Sequence, residues 1–344
     1  MSPNPTQTDR RRPGQSPLAS YWWAGGLALH ERVRSAGATT PAVAGGPDEV
    51  TPDAVGPTGT EVDDRHRRRL LRWRGVFAPE AFAQRLSGLG IGEPALLGLL
   101  AEPRDRLAGR TARPNWVDTV ERVLAAVPVP PAVAAGPDAS WQEAFTVPLR
   151  PFLDDARRRL LEQAGRLVDT GQADLPGLVD RCVTQLGQRL ARVTARTFVL
   201  ELNRRRDRGV LAGTDGRQRF ADFVRWQATG PALAGLLERY PVLARLLAQS
   251  VEHFLDATVE LLERYVADRA ALVGTLLDGT DPGPLVGVGT GLGDPHRRGR
   301  SVAVLDFADG RRVVYKPRDL AVHRHVNEMV DWLNRHVDDL RLRT

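Results

Sequence analysis

The chain has 344 residues, enough for about two domains and a substantial core. A net charge of +6 admits an anionic partner such as a nucleotide, an acidic peptide or a nucleic acid. A single cysteine, Cys182, excludes an internal disulfide and a thiolate-rich zinc site, and no run approaches the ~18 consecutive apolar residues of a membrane span.

Residues 1–17 are rich in Pro, Thr, Arg and Gln and read as disordered. Residues 18–35 fit one short amphipathic helix, and Ala36 to Gly59 reads as a linker. Tyr21 to Leu29, following Arg10-Arg-Arg12, has some texture of a signal peptide. His30-Glu-Arg-Val-Arg34 follows at once without a small-residue cleavage site, so the chain is read as cytoplasmic.

From Glu61 to Gly279 the hydrophobic pattern is almost wholly helical. Segment 61–74 is dense in arginine, with Arg65, Arg67, Arg68, Arg69, Arg72 and Arg74 around Leu70, Leu71 and Trp73. Pro79 opens a helix to Leu86, Pro94 one to Glu102, and Trp116 to Val127 forms another. Ala139-Ser140 caps a helix interrupted near Pro148 and Pro151 and continuing to Val168. Leu178 to Arg206 is a strong helical stripe that takes in Cys182, read as a buried thiol. Arg219 to Trp226 is short and aromatic. Pro241 opens a long helix with Leu243, Leu246, Leu247, Val251, Phe254, Leu255, Leu261 and Leu262 on its buried face, ending before Asp278-Gly279.

After Gly279 the texture changes: glycines crowd in, the period falls to two, and β-branched residues appear. Gly287, Gly289, Gly291 and Gly293 alternate along a glycine-rich loop that leads to Asp294-Pro-His296. A strand follows over Ser301–Phe307, a turn at Ala308-Asp309-Gly310, a second strand over Arg312–Lys316, and an amphipathic helix over Leu320–Leu333. Its stripe of Val322, Val326, Met329, Val330 and Leu333 is expected to be buried. The expected fold is mostly α with a small α+β unit at the C-terminal end. Residues 1–60 are largely disordered with one short helix, 61–280 are helical, and 281–344 form an incomplete kinase-like small lobe.

Glycines let backbone N–H groups approach phosphate oxygens with no Cβ in the way. There is no Gly-Lys-Ser/Thr, so this is not a Walker A loop, and a strand rather than a helix follows, so it is not a Rossmann turn. Lys316 is the only lysine; the other 47 of the 48 basic residues are arginine. In protein kinases a strand lysine in a Val-Ala-Ile-Lys setting pairs with ATP phosphates and is braced by a helix glutamate. Val313-Val-Tyr-Lys316 has that texture, and Glu328 is the nearest candidate brace. A compact ammonium suits a point contact to phosphate, which the larger arginine fork does not reproduce. On residues alone, Asp294-Pro-His296 fits either an aspartate-capped turn or an acid–imidazole pair for proton transfer.

Together these segments resemble a known family. Gly293-Asp-Pro-His-Arg-Arg-Gly299, Ser301 to Phe307, Val313-Val-Tyr-Lys-Pro-Arg-Asp319 and Asp331-Trp-Leu-Asn334 are similar to the dehydration domain of class II lanthipeptide synthetases. Arg196 to Asn203, Arg219 to Phe223 and Tyr240 to Leu247 fit as well. The likeness runs from about residue 175 to the end and is looser over 18–174. The joint occurrence of Asp-x-His-x-x-Gly and Tyr-Lys-Pro-Arg is its specific part.

The resemblance implies a lipid-kinase-like fold decorated with helices. It implies an enzyme that phosphorylates Ser and Thr of a precursor peptide with ATP and Mg²⁺, then eliminates phosphate to leave dehydroalanine or dehydrobutyrine. Lys316 matches the family's phosphorylation lysine, and Asp294 and His296 its elimination pair. Gly289, Gly291, Gly293, Lys316 and Arg318 become the candidate ATP contacts, with no metal ligand assigned. The family's catalytic loop, its Mg²⁺-holding Asp and its zinc domain have no counterpart in these residues. The chain therefore reads as the front part of such an enzyme, inactive alone. The alternative is a non-catalytic remnant that binds the precursor's leader peptide through the arginine-dense 65–74 helix, or half of a split synthetase pairing with a separately encoded lobe. Nucleic-acid binding would rest on charge alone and is not expected.

Overall fold

The computed structural model describes residues 18–37, 64–127, 139–169, 171–290, 298–319, 321–337 and 341–342. The readings of 1–17 as disordered and of 36–59 as a linker fall outside these residues, save for its first two residues, which close α1 below. Described residues form a mostly helical protein with one small antiparallel sheet near the C-terminal end. No helix among them is long and apolar enough to cross a membrane. The chain divides into two compact units, one of residues 1–152 and 187–249, the other of 153–186 and 250–344.

In the first unit a 3-10 turn, Trp22–Gly26, precedes α1 (Leu29–Gly37) where one helix was expected. Trp22 is buried edge-on against Trp116, ring centres 5.5 Å apart. Gly26 has no room for a side chain: a Cβ there would stand 2.8 Å from the Pro241 carbonyl oxygen. Arg245 secures the turn by donating to Gly26 O at 3.1 Å and to both carboxylate oxygens of Glu31. Helices α2 (Asp64–Arg74), α3 (Pro79–Ser87) and α4 (Glu93–Ala101) follow, with Phe82, Leu86, Ile91, Leu96, Leu99 and Leu100 in one cluster. Leu70 and Trp73 pack against it from α2.

Helix α5 (Arg104–Arg110) was not expected; it is short and buries only Leu107, so it carries no legible stripe. Helix α6 (Trp116–Ala125) matches its expected span. Ser140 caps α7 (Trp141–Thr146) through a reciprocal box. Its hydroxyl accepts from Glu143 N, and the Glu143 carboxylate accepts from Ser140 N at 2.7 Å. The expected interruption is a 3-10 turn at Val147–Leu149, after which α8 (Arg150–Ala164) stops short of Val168.

Helix α9 (Leu175–Asp207) runs through both units. In the first unit its later part meets α7 and α10 (Gly216–Gln227) through edge-on rings, Phe198 to Phe145 of α7 at 5.0 Å and Phe198 to Phe223 of α10 at 6.2 Å. Helix α11 (Gly230–Arg239), also not expected, is capped by Thr229 and abuts the Pro241 start of α12 (Pro241–Leu276). Leu243, Leu247, Val251, Leu255, Leu261 and Leu262 of α12 are buried as expected, whereas Leu246 is exposed. Asp278 and Gly279 both turn left-handed, and Gly279 N donates to Val273 O at 2.9 Å, closing the helix where the sequence placed its stop.

In the second unit the sheet has order β1-β2-β3, with β1 Leu285–Gly289, β2 Ala303–Phe307 and β3 Arg312–Tyr315. Ala303, Leu305 and Phe307 point inward and are buried, and Phe307 meets the ring of Tyr265 on α12. The sheet borrows its core from the helical segments 153–186 and 250–277, so the compact unit begins well before the boundary drawn at residue 281. Three short strands cannot bury enough surface alone. Cys182 is buried here, and burial pushes its thiol up to about 12. It should react with a thiol reagent at neutral pH at least about a hundredfold more slowly in the native chain than in denaturant, measured as labelling by mass.

Helix α13 (Ala321–His336) departs from expectation. The stripe read as buried is open: Val322, Val326 and Met329 are exposed, Val330 and Leu333 half-buried, and no residue of the helix is buried. Periodicity identifies an apolar face but not what covers it, and no other described element covers this one.

Candidate functional site

Two of the glycines read as loop lie in β1. A bulge between Leu285 and Gly287 shifts the register, so that Gly287 pairs with Asp306 and Gly289 with Val304. At Gly287 a Cβ would come within 3.1 Å of the Asp306 carboxylate and 3.4 Å of the Arg181 guanidinium. Gly287 is therefore explained by packing. Gly289 is different: its nearest neighbour would be Val304 O at 3.9 Å, an ordinary contact. Gly289→Ala should thus leave the unfolding midpoint unchanged. A loss of ATP affinity in that variant, read by titration, would report close backbone approach to phosphate rather than fold.

Thr290 follows β1 and is pinned by Gln185 on α9. Gln185 Oε1 accepts from Thr290 N at 3.1 Å and from its hydroxyl at 2.5 Å, while its amide donates to Val288 O at 2.9 Å. Gly291, Gly293, Asp294 and His296 lie outside the described residues. The chain is next described from Arg298, in the left-handed region, and Gly299. Arg300 is then held by Glu260 on α12: its Nε donates to Oε2 at 2.7 Å and its Nη2 bonds the same oxygen. Thr290 and Arg300 are thus each held by a helix, the first by α9 and the second by α12.

Lys316 follows β3 directly and is exposed. Its side chain makes no hydrogen bond or ion pair with any described residue. Arg318 is also exposed, and its N–H donates to Lys316 O at 2.9 Å across Pro317. Asp319 accepts from Ala321 N at 2.8 Å at the start of α13. Glu328, the expected brace, faces solvent and pairs on its own helix with His325 at 3.3 Å and Arg324 at 3.8 Å. It does not reach Lys316 here, because the face that carries it is not turned onto the sheet.

Tyr315, one residue before the lysine, is half-buried, and its phenol accepts from Arg264 at 3.0 Å. Burial, and second the nearby positive Arg264, act in opposite directions on this phenol, and the net result is upward. Arg264 in turn bonds Glu260 Oε1 at 2.6 Å. The Arg300 hydrogen bond, against a smaller cost of burial, holds the Glu260 carboxyl below its ordinary range. Sequence reasoning missed Gln185, Glu260, Arg264 and Arg300, since each is an ordinary residue on a helix or loop until its partner is known.

An exposed ammonium that bonds no described side chain, at the open end of an edge strand, can offer its charge to an anion such as a phosphate. Among the described residues no three His, Cys, Asp or Glu side chains come together as a group that could hold a metal ion.

Residues 240–344 match a family described as a domain of unknown function, DUF4135. The matched segment contains α12, all three strands and α13, and with them Glu260, Arg264, Arg300, Tyr315 and Lys316. Gln185 lies outside it. No curated protein matches the chain.

Proposed function

We propose that this chain supplies the phosphate-contacting wall of a peptide dehydratase of the lanthipeptide-synthetase type, in which residues 281–344 act as a kinase-like small lobe. What carries the reading is Lys316. It is the one lysine of the chain, it is exposed just after β3 and bonds no described side chain, and it sits in the Tyr-Lys-Pro-Arg context that accompanies Asp-x-His-x-x-Gly. The match of residues 240–344 to a single domain family supports treating α12, sheet and α13 as one functional segment.

In this reading ATP is the phosphoryl donor and Mg²⁺ accompanies it. The Lys316 ammonium offers point charge to the phosphate oxygens, with Gly289, Gly291, Gly293 and Arg318 as the further candidate ATP contacts. The oxygen of the peptide's Ser or Thr hydroxyl bonds to the transferred phosphorus as the bond to ADP breaks, and the hydroxyl proton passes to solvent. Asp294 and His296 then serve the second reaction: an imidazole takes the α-proton, the C–O bond to phosphate breaks, and the electron pair forms the alkene. The enzyme acts in the cytoplasm, on a precursor peptide.

The test is an assay of peptide phosphorylation in an enzyme that joins this chain to the family's larger lobe, fused or separately encoded. Lys316→Met abolishes phosphorylation, and His296→Asn lets phosphorylated peptide accumulate. Undiminished dehydration in either variant defeats the assignment. A second reading, capture of an acidic leader peptide without catalysis, is favoured by one observation: Arg67, Arg68 and Arg72 of α2 all face solvent. It requires that the chain alone bind such a peptide and release it as salt rises. No binding at low salt ends it.

A further inference from the structure

The side chains around Glu260 make one connected unit. Its two carboxylate oxygens serve different arginines: Oε2 accepts from Arg300, and Oε1 from Arg264. Arg264 continues to the phenol of Tyr315 and lies over its ring, 6.0 Å from the centre. A single carboxylate on α12 therefore reaches the chain just after Gly299 and the last residue of β3. These positions are also joined through the sheet, since Ala303 pairs with Tyr315.

β3 needs such a tether. It pairs with β2 alone and is an edge strand, and its burial alternates between exposed and half-buried. Ends of edge strands open at low cost when nothing but backbone bonds holds them. Strand alternation puts successive side chains on opposite faces. A bond to Tyr315 thus fixes the backbone that carries Lys316 while leaving the ammonium free for a ligand.

We infer that Glu260 is the positioning residue for Lys316, acting through Arg264 and Tyr315, and that through Arg300 it holds the chain leaving Gly299 in the same frame. The role as a positioning residue rests on Lys316 being the phosphate contact proposed above; the tether itself does not. Glu260 touches no reacting atom. It sets where the ammonium stands, and a displacement of a charged contact costs rate rather than binding when the contact strengthens in the transition state.

Amide hydrogen exchange on the 344-residue chain tests the tether without any activity. Glu260→Gln removes the charge that holds both arginines. It should speed exchange about tenfold at residues 313–316 and 300–303 and leave 285–289 of β1 unchanged. Tyr315→Phe removes one oxygen atom, so it keeps the test alive if the glutamate variant folds poorly; it should speed exchange at 313–316 alone. Unchanged exchange at 313–316 in both variants, or an increase spread equally over β1, overturns the inference.

The second arm is kinetic, in an active enzyme carrying these residues. Glu260→Gln should lower kcat for phosphorylation about tenfold and leave KM for ATP within about twofold. If Lys316→Met abolishes phosphorylation while Glu260→Gln leaves kcat unchanged, the positioning role is overturned and the functional reading stands. If Lys316→Met leaves phosphorylation undiminished, it is the functional reading that falls, whatever the exchange shows.

Discussion

Replacing Lys316 by methionine should lower ATP-dependent phosphorylation of a precursor peptide about a hundredfold to a thousandfold, the usual cost of removing one preorganised charge from a phosphoryl-transfer site. Methionine keeps the length of the side chain and loses the ammonium. Lys316 is exposed and bonds no described side chain, so the fold has nothing to lose by the change. The unfolding midpoint should stay within about half a kcal/mol of the parent chain, the range of an ordinary surface substitution. Arginine keeps the charge but brings a planar fork where a point contact is wanted, so Lys316→Arg should recover part of the rate and not all of it. Radiolabel transfer from ATP to peptide measures the loss. Activity within tenfold of the parent in the methionine variant removes Lys316 from the chemistry.

The largest effect on stability is expected at Glu201. Its carboxylate is buried on α9 and accepts from three donors: the Tyr240 hydroxyl at 2.6 Å, Arg204 at 2.8 Å and Arg239 at 2.7 Å. Burial pushes its carboxyl up, but the hydrogen bonds from Tyr240, Arg204 and Arg239 outweigh it, and the result lies below the ordinary value. Glu201→Ala leaves the half-buried Tyr240 phenol and Arg239 without this acceptor, and Arg204 with only the Tyr240 oxygen, and should cost about 3 kcal/mol. The arginines are half exposed and can turn to water, which keeps the figure at the low end for a buried pair.

Glu201→Gln preserves shape and should cost less, while removing a pH dependence. A carboxyl lowered in the fold gives stability that is fully present above its unfolded pKa. That stability is lost as pH falls through the folded value. The parent chain should therefore lose more stability on acidification below the ordinary carboxylate range than the glutamine variant does. Denaturant midpoints at neutral and acid pH decide it. Equal losses in the two chains would mean that Glu201 carries no net charge linkage.

Much of the helical part was legible because its signals act over a few residues. Ser140 and Glu143 cap one another across a single turn, Pro241 starts a helix at a position that needs no N–H, and Asp278-Gly279 turns left-handed to stop it. The hairpin at Asp309-Gly310 was equally plain: Gly310 takes a positive φ, and Asp309 accepts from Arg311 N. Of the helices that escaped, α5 is about two turns long and buries only Leu107, whereas α11 is as long as α6 and lies unmarked between the aromatic α10 and the Pro241 start of α12.

The candidate site was legible in its residue types and not in its arrangement. The lone lysine and the glycines stand out by composition. That Gly287 belongs to a strand and is small because Asp306 and Arg181 crowd it follows from the bulged pairing of β1 with β2. That α13 shows its apolar face to solvent, and that Glu328 pairs along its own helix, depends on where the helix is placed rather than on its sequence.

By itself, then, the sequence determined where its capped helices start and stop, where the hairpin turns, and which residue is chemically out of place. These are matters of backbone preference and of a side chain's own chemistry. Only the tertiary structure decided that Gln185 meets Thr290, that Glu260 meets Arg300, and that Arg264 reaches Tyr315. Those partners are far apart in the chain, and an arginine or a glutamine on a helix pairs with whatever the packing brings to it. The ammonium of Lys316 is a feature of its own residue; the bonds that join Glu260, Arg264 and Tyr315 before it are a property of the fold.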